Sequence, residues 1–470
     1  MAPNPVHPHS GAAGGSPCGD LVRVSLDVRG GRVGDVDCEL EGCGALHAAG
    51  AGLGGLAEGA RLLEAARITA ADVAAAAGGL TPAGRHAAEL AADALHRALG
   101  AALRDGAGDL NPVTGRVAVA LSGGVDSAVA AHLLREEGHD VVALTLELWA
   151  DPATDGERSC CSPSAVLGAR SLAHTMGLPH FTLDLRHAFR AGVVDPFIDA
   201  HAAGLTPNPC VRCNGEVRFD ALLDAAERLG AGTLATGHYA RVREDGEGPL
   251  LCAAESGDKD QSYMLARLPT ERLARLRFPL GKLSKPRVRE LARSASLPVA
   301  ERRDSQDLCF VAGLGSRGFL RRHGGPRLAE RHGDVVDRSG RRLGGHDGQH
   351  LFTVGQRRGL GLAGPEPLFV LAKDPARNRV VVGPRDELDA TRVAVERARL
   401  HRRGRRVSAV KLRYRSRAMA CRVDGDPAAG EHEALELSLE RPVEAVAPGQ
   451  AAVLLDGDLV VGEATIARAG

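Results

Sequence analysis

Along residues 21–40 apolar and polar positions take turns. Leu21, Val22, Val24, Leu26 and Val28 lead to Gly30-Gly31, and a second such run covers 33–40. This period predicts two strands. Ala-rich helical stretches follow to about Leu103, and residues 105–115 have linker composition. From Arg116 the rhythm changes to strand–helix alternation, the signature of a mainly parallel α/β sheet. Strands are expected at 117–121, 141–148, 180–185 and 232–236, and helices at 127–137, 164–176 and 217–229. Beyond about residue 312 the chain is Gly/Arg-rich with short strand-like pieces. From about 380 it reads as all-β, with 379–382, 409–414 and 451–455 as strands of a small barrel.

The domains expected are therefore a disordered start at 1–17, an α+β unit at 18–104, a linker at 105–115, an α/β catalytic domain at 116–312, a small central domain at 313–378 and a β-barrel at 379–470. A chain of 470 residues is too long for one core, and about two to four domains is the reasonable prior. No apolar run approaches the roughly 20 residues that cross a bilayer, and the Pro/Gly/His-rich start lacks a signal pattern. A cytoplasmic enzyme without membrane contact is expected.

Net charge is zero but unevenly spread. Residues 1–110 carry 8 basic and 13 acidic side chains, which leaves the remainder net positive by five. Within 401–417 stand Arg402, Arg403, Arg405, Arg406, Lys411, Arg413, Arg415 and Arg417 with no acid between them. Such a run is either a solvated face or a footprint for a polyanion. Ten cysteines without a signal segment point to metal or redox chemistry rather than a disulfide framework.

Leu121 to Ser127 reads LSGGVDS at the junction of the first α/β strand and its helix. Glycines there let backbone N–H groups form an anion nest, and the helix start adds positive potential. Ser122 and Ser127 can donate to phosphate oxygens, and Asp126 can help hold Mg2+. The lysine of a Walker A loop is absent. Asn208-Pro-Cys-Val-Arg-Cys-Asn214 holds a Cys-x-x-Cys, by itself a zinc knuckle or a redox pair. With Cys309, in DSQDLCF (304–310), it makes three thiols. These suit a cluster with an open iron, or a nucleophile facing a persulfide carrier.

The SGGVDS segment resembles the PP-loop of the ATP pyrophosphatases. From about residue 116 onward the chain looks like the tRNA-specific 2-thiouridylases (MnmA family). The matching segments are SGGVDS, TPNPCVRCN (206–214), ATGHYA (235–240), DKDQSYML (258–265), DSQDLCF, GQHLFTVGQRRGLG (348–361), KLRYR (411–415) and PGQ (448–450). The resemblance implies ATP bound by Ala120, Leu121, Ser122, Gly123, Gly124, Val125, Asp126 and Ser127, with Leu146 and Gly237 by the adenosine. It implies tRNA contacts from Asn208, Pro209, Cys210, His238, Lys259, Asp260, Gln261, Arg413, Tyr414 and Gln450. It also implies Cys213 as the nucleophile and Cys309 as the persulfide carrier. ATP would adenylate the uridine C2 oxygen, and sulfur would then displace AMP.

Many members of that family have Asp where this chain has Cys210. Two chemistries are therefore open. Cys210, Cys213 and Cys309 hold a 4Fe–4S cluster whose fourth iron binds hydrosulfide, or Cys210 is an accessory thiol to persulfide transfer. Residues 18–104 resemble an IscU/NifU-type iron–sulfur scaffold, through Cys18-Gly-Asp20, Glu41-Gly-Cys43 and LTPAGRH (80–86). That family's ligand positions fall on Cys18, Asp20, Cys43 and His86, with Ala87 in place of a third cysteine. The unit is then a weakened carrier or a docking module for a cysteine desulfurase or another sulfur carrier. The fold implied is multidomain: scaffold-like α+β, PP-loop α/β, central domain and barrel, as a monomer. Competing readings are a PP-loop synthetase or amidotransferase for a small metabolite, and an iron–sulfur carrier with an RNA-binding C-terminal part.

Overall fold

The computed structural model describes residues 8–15, 19–151, 163–302, 308–328, 331–362 and 366–470. Cys18, Cys160, Cys161 and the 304–307 part of DSQDLCF lie outside the described residues. Two compact units are present. The first comprises Met1–His187, Arg218–His238 and Arg275–Ala312; the second comprises Ala188–Val217, Tyr239–Ala274 and Gly313–Gly470. Among the described residues no helix is long and apolar enough to cross a membrane.

In the first unit the strands Leu21–Arg29 and Arg32–Glu41 form the expected pair, antiparallel around Gly30 and Gly31, whose φ angles are +56° and +73°. Val22, Val24 and Leu26 turn inward and are buried. The long helix Arg85–Arg104 packs on this sheet with a face of Ala87, Ala91, Ala94 and Ala98. The start of the chain departs from expectation. His9–Gly14 is a third strand, antiparallel to Leu21–Arg29. Its composition, read as disorder, is what the site demands: a Cβ at Gly11 would lie 2.4 Å from the Ala94 carbonyl oxygen. Only a strand of small residues can approach an alanine face that closely.

Five parallel strands follow, in the order Leu276–Arg277, Thr233–Thr236, Arg116–Ala120, Asp140–Glu147, His180–Asp184. The chain winds outward from Arg116–Ala120 in one direction and then returns to its other side. That reversal places a crevice at the carboxyl ends of Arg116–Ala120 and Thr233–Thr236, where open α/β sheets bind ligands. Segment 105–115 is tied to the sheet domain through Leu110 N–H to Arg228 O (2.7 Å) and Val113 N–H to Gly230 O (2.9 Å).

The outer strand, His180–Asp184, would leave its edge unpaired. The long helix covers it. A Cβ at Gly100 would fall 1.8 Å from the Thr182 carbonyl oxygen, and the His180 N–H donates to Ala66 O at 3.0 Å. Around this contact charges are buried in a closed network. Arg170 meets Asp93 at 2.7 Å, and Arg97 meets Asp93 at 2.9 Å and Glu147 at 2.6 Å. Burial pushes the Asp93 carboxyl up, but Arg170 and Arg97 outweigh it and hold the group below its ordinary range. Beside the network His96, His174 and His180 gather with ring centroids 5.0–6.3 Å apart. Burial holds all three below the usual histidine range, with Arg170 adding to the effect.

The second unit holds the central and barrel folds. Gly333–Val336, Arg342–His346, Phe369–Asp374 and Arg379–Gly383 make a four-stranded sheet over Val335, Phe352, Val370, Val380 and Val382. The run 379–382, expected in the barrel, belongs to this sheet instead, because it pairs with both Gly333–Val336 and Phe369–Asp374. Six strands then close a barrel, in the order Asp389–Leu400, Gly430–Glu444, Met419–Val423, Ala409–Lys411, Ala451–Asp456, Leu459–Ala469, with the last returning to the first. Strands Ala240–Glu244 and Pro249–Ala253 extend it through Leu459 and Cys252. The expected single domain at 116–312 thus contributes segments to both units, since each buries its apolar face where it finds a partner.

Two outcomes follow from the covered edge. Gly100→Ala should destabilise the first unit by about 1–3 kcal/mol and speed hydrogen exchange at 180–184; unchanged exchange there would remove the close approach as a constraint. The histidines set a pH dependence. Each has a folded value below its unfolded one of about 6.5, so the unfolded chain binds more protons beneath that pH. Stability is then full above about 6.5 and falls on acidification, by up to about 1.4 kcal/mol per pH unit and histidine. Denaturation midpoints at pH 7.5 and 5.5 measure this, and His96→Gln should flatten the slope.

Candidate active site

The loop 121–124 leaves the strand Arg116–Ala120 and enters the helix Val125–Glu136 at Gly124. Gly123 takes φ +71°, which only glycine adopts without strain. Ser127 Oγ accepts from the Ser122 N–H (3.1 Å), lies 3.2 Å from Ser122 Oγ and donates to Gly124 O (3.1 Å). The two hydroxyls therefore face one another across the nest. Gly237 explains its own identity: a Cβ there would lie 2.6 Å from the Ser127 nitrogen. Leu146, on the neighbouring strand, is buried. The expected set Ala120 to Ser127, with Gly237, is thus assembled at the carboxyl ends of the two central strands.

Two cations join it that the motif did not announce. Lys285 Nζ lies 2.7 and 2.8 Å from the two Asp126 oxygens, and Arg302 donates to Gly123 O at 2.8 Å. Lys285 starts the helix Lys285–Ser294, which packs on Val125–Glu136. It restores near the loop the positive charge that a Walker A lysine would supply from within. The only sequence signal was the helix start Ser284-Lys285-Pro286, where Ser284 caps by accepting from the Arg287 N–H.

Downstream in the same unit His238 is half-buried between Phe219 and Phe278, and its Nδ1 sits 2.7 Å from Thr236 Oγ1. Burial, helped by the Arg218 charge, pushes it down to about 3. The shift favours the neutral imidazole, which suits a hydrogen-bonding role. Cys309 is half-buried, and Phe310 after it meets the Trp149 ring edge-on at 6.4 Å.

The second unit carries the cysteine pair. Asn208 caps the helix Pro209–Cys213 by accepting from the Cys210 and Val211 N–H groups (3.1 and 3.2 Å), and Pro209 needs no partner at its first turn. Cys210 is half-buried and Cys213 buried, and Asn214 locks the next turn through Met264 O at 2.9 Å. The loop before the helix is clamped by the barrel. Thr206 N–H donates to Pro448 O at 2.8 Å, and Gln450 Nε2 donates to Thr206 O at 2.9 Å. The Tyr414 hydroxyl is raised by burial, and Cys210 is among the groups that act on it, so the two belong to one neighbourhood.

Other expected contacts have internal duties. Asp260 accepts from Ala254 N–H, Ser262 N–H, Ser262 Oγ and Lys411 Nζ at 3.0–3.2 Å, which makes it the clamp of its turn. Gln261 Oε1 accepts from the Tyr239 N–H at 3.0 Å. Lys259 ends the short turn Gly257–Lys259. The basic run 401–417 is acid-free only in sequence. Arg402 is buried on Asp245 (2.7 Å), Arg406 meets Asp456 (2.7 Å), and Arg403 and Arg405 share Asp426. The exposed cations left are Arg413, Arg415 and Arg417, with Arg413 also donating to Glu444 O. The polyanion footprint is correspondingly narrower than the sequence run.

In the N-terminal domain Asp20, Cys43 and His86 bring their ligand atoms within 4.8 Å of one another. Asp20 Oδ2 is 2.8 Å from His86 Nε2 and 3.2 Å from Cys43 Sγ, and its Oδ1 accepts the Cys43 N–H. Gly42 is obligatory, since a Cβ would meet Asp20 Oδ1 at 2.2 Å. Ala87 is fully buried beneath. Among the described residues this mixed S/O/N set fits a single divalent ion of the zinc type; Ala87 stands where a further cluster thiolate would, and Cys18 lies outside the described residues.

Residues 115–313 match the family described as tRNA methyl transferase HUP domain, 317–384 its PRC-barrel domain, 390–466 an aminomethyltransferase beta-barrel domain, and 4–104 the NifU-like N terminal domain. A protein of Rubrobacter xylanophilus described as bifunctional NifU/MnmA is 46% identical over 97% of this chain and 94% of its own length. The tRNA-specific 2-thiouridylase MnmA of Chloroflexus aggregans is 45% identical over 75% of this chain and 98% of its own. That of Acidithiobacillus ferrooxidans is 44% identical over 73% and 96%.

Lys285→Met should weaken binding of a non-hydrolysable ATP analogue by about tenfold or more, the worth of one charge-assisted hydrogen bond. Calorimetry on the full chain reads this directly. An unchanged affinity would place Lys285 outside the nucleotide site.

Proposed function

The chain belongs to the tRNA-specific 2-thiouridylase (MnmA) family with a NifU-like domain at its N-terminus, and we propose that it adenylates a tRNA uridine at its C2 oxygen and installs sulfur there. The observation that carries this is the nest of Ser122, Gly123, Gly124 and Ser127, flanked by Lys285, in a chain that also presents two cysteines on a capped helix. The domain family's description speaks of methyl transfer, the relatives' of thiolation. An adenylating loop and paired thiols serve the second and have no task in the first.

In the first half-reaction the nest amides and Lys285 bind the triphosphate, and Asp126 fits a magnesium ligand. The uridine C2 oxygen attacks the α-phosphorus, and pyrophosphate leaves. A poor leaving group has become AMP. In the second, a sulfur nucleophile adds to C2, and AMP departs with the former oxygen. On the persulfide route the terminal sulfur of Cys309 adds to C2. The Cys213 thiolate then attacks the Cys309 sulfur, giving a Cys213–Cys309 disulfide and the thiocarbonyl. A dithiol reductant resets the pair. Thiolate character governs each step.

Cys210 and Cys213, three residues apart on one helical turn, are also the donor type and spacing of an iron–sulfur cluster ligand pair. With Cys309 they would leave one iron open to deliver a bound sulfide. The presence of Cys210 favours this route. The exposed Arg415 and Arg417 and the neutral His238 fit tRNA backbone and base contacts. A cysteine desulfurase or another sulfur carrier is the expected source of sulfur, and a cytoplasmic monomer the expected form.

Nucleoside mass spectrometry of tRNA from cells with and without the gene should show 2-thiouridine at the wobble position only in the first. Retention of 2-thiouridine without the gene would overturn the assignment. Iron and sulfide analysis after anaerobic purification separates the routes: a colourless, fully active enzyme leaves the persulfide route alone.

A further inference from the structure

The N-terminal domain is not tethered to the ATP-binding domain by its linker alone. Its long helix Arg85–Arg104 lies against the sheet that forms the nucleotide crevice, and Arg97 on that helix reaches the last residue of the strand Asp140–Glu147. Glu147 is wholly buried, and its nearest cation is Arg97 at 2.6 Å, with Arg186 at 3.7 Å. A carboxylate in that position is held in place by its counter-charge or not at all. The residues on either side of Glu147 are the ones that matter. Leu146, buried, precedes it on the same strand, and Trp149 stands two residues beyond it, seated edge-on against Phe310 beside Cys309.

A second strut runs in parallel. The Thr145 hydroxyl donates to Leu121 O at 2.6 Å, at the root of the nucleotide loop. Having spent its proton, it must accept from His180 Nε2 at 2.8 Å, which fixes the neutral Nε2–H tautomer. His180 in turn donates its backbone N–H to Ala66 O of the N-terminal domain. Both struts start in the N-terminal domain and end at the nucleotide loop or its neighbouring strand.

We infer that Arg97 is a positioning residue for the nucleotide site, so that the N-terminal domain sets ATP affinity independently of any cargo it carries. The inference rests on the ATP reading of the 121–127 loop. The Chloroflexus aggregans relative aligns over 98% of its own length with only 75% of this chain, which leaves no room for such a domain. A chain of this kind without such a domain is therefore known, so loss of the prop here is expected to lower affinity rather than abolish it.

The full chain is assayed for tRNA thiolation, with ATP and tRNA varied separately. Arg97→Met should raise KM for ATP by about tenfold, the size that coupling mutations reach, and leave KM for tRNA within about twofold of the parent. Arg97→Lys, which keeps the charge, should recover most of the ATP affinity. Arg67→Ala removes an exposed contact of the same interface, to Gly177 O at 3.4 Å, and should change neither constant. Should Arg97→Met fail to fold, the near-isosteric Thr145→Val tests the second strut with the same readout. An Arg97→Met chain that is folded and keeps the parental KM for ATP overturns the inference, as does a parallel fall in both substrates' parameters. Failure of the parent chain to bind a non-hydrolysable ATP analogue would instead overturn the ATP reading itself.

Discussion

A buried carboxylate must be answered by a buried cation, and in this chain the answer to Glu147 comes from a different domain. Arg97 supplies it, Asp93 balances Arg97, and Arg170 balances Asp93, so two acids and two bases offset one another, with Arg186 at the outer end of Glu147. Such a network contributes little net stability against an apolar packing of equal volume, yet breaking any one member is costly because it strands the others. Its consequence is therefore geometric. It fixes one register between the long helix and the outer strand of the parallel sheet, and Gly100 against Thr182 permits no other. The edge that would otherwise be exposed, the strand that walls the nucleotide crevice and the attachment of the N-terminal domain are settled together.

What was legible in the sequence was local. The run Leu121 to Ser127 names a strand end, a nest and a helix start within seven consecutive positions, and Asn208 to Asn214 shows a Cys-x-x-Cys, although not the Asn208-capped helix that carries it. Continuous apolar runs located four of the five parallel strands, whereas the two-residue edge strand Leu276–Arg277, with Arg277 exposed, is too short to leave such a run. What depended on distant partners was not legible. Lys285 lies 159 positions from Asp126, and no spacing rule joins them. The run 401–417 looked cationic because its acids, Asp245, Asp426 and Asp456, stand elsewhere in the chain.

Two misplacements share a cause. His9–Gly14 was read as disorder from its small residues, and Arg379–Gly383 as barrel from its apolar run. In both the local signal was sound but silent about the partner. Small residues are disordered when nothing approaches them and indispensable when an alanine face does. A Val-rich run joins whichever sheet offers an edge, and the four-stranded central sheet offered one on each side. Pairing is decided by topology, which period does not encode.

The long helix carries a consequence beyond support. His86 stands in its first turn, bonded to Asp20 beside Cys43, and Arg97 lies about three turns further on, at Glu147. A single rigid element thus has a ligand cluster at one end and the nucleotide strand at the other. A carrier domain meant to swing between a donor and an acceptor would need a weak, hydrated interface, of the kind that leaves domains mobile. This interface has a glycine backbone contact, buried charges and three neutral histidines. Its construction argues that the N-terminal domain, with the Asp20–Cys43–His86 cluster, is held in a fixed position on the parallel sheet rather than built to swing.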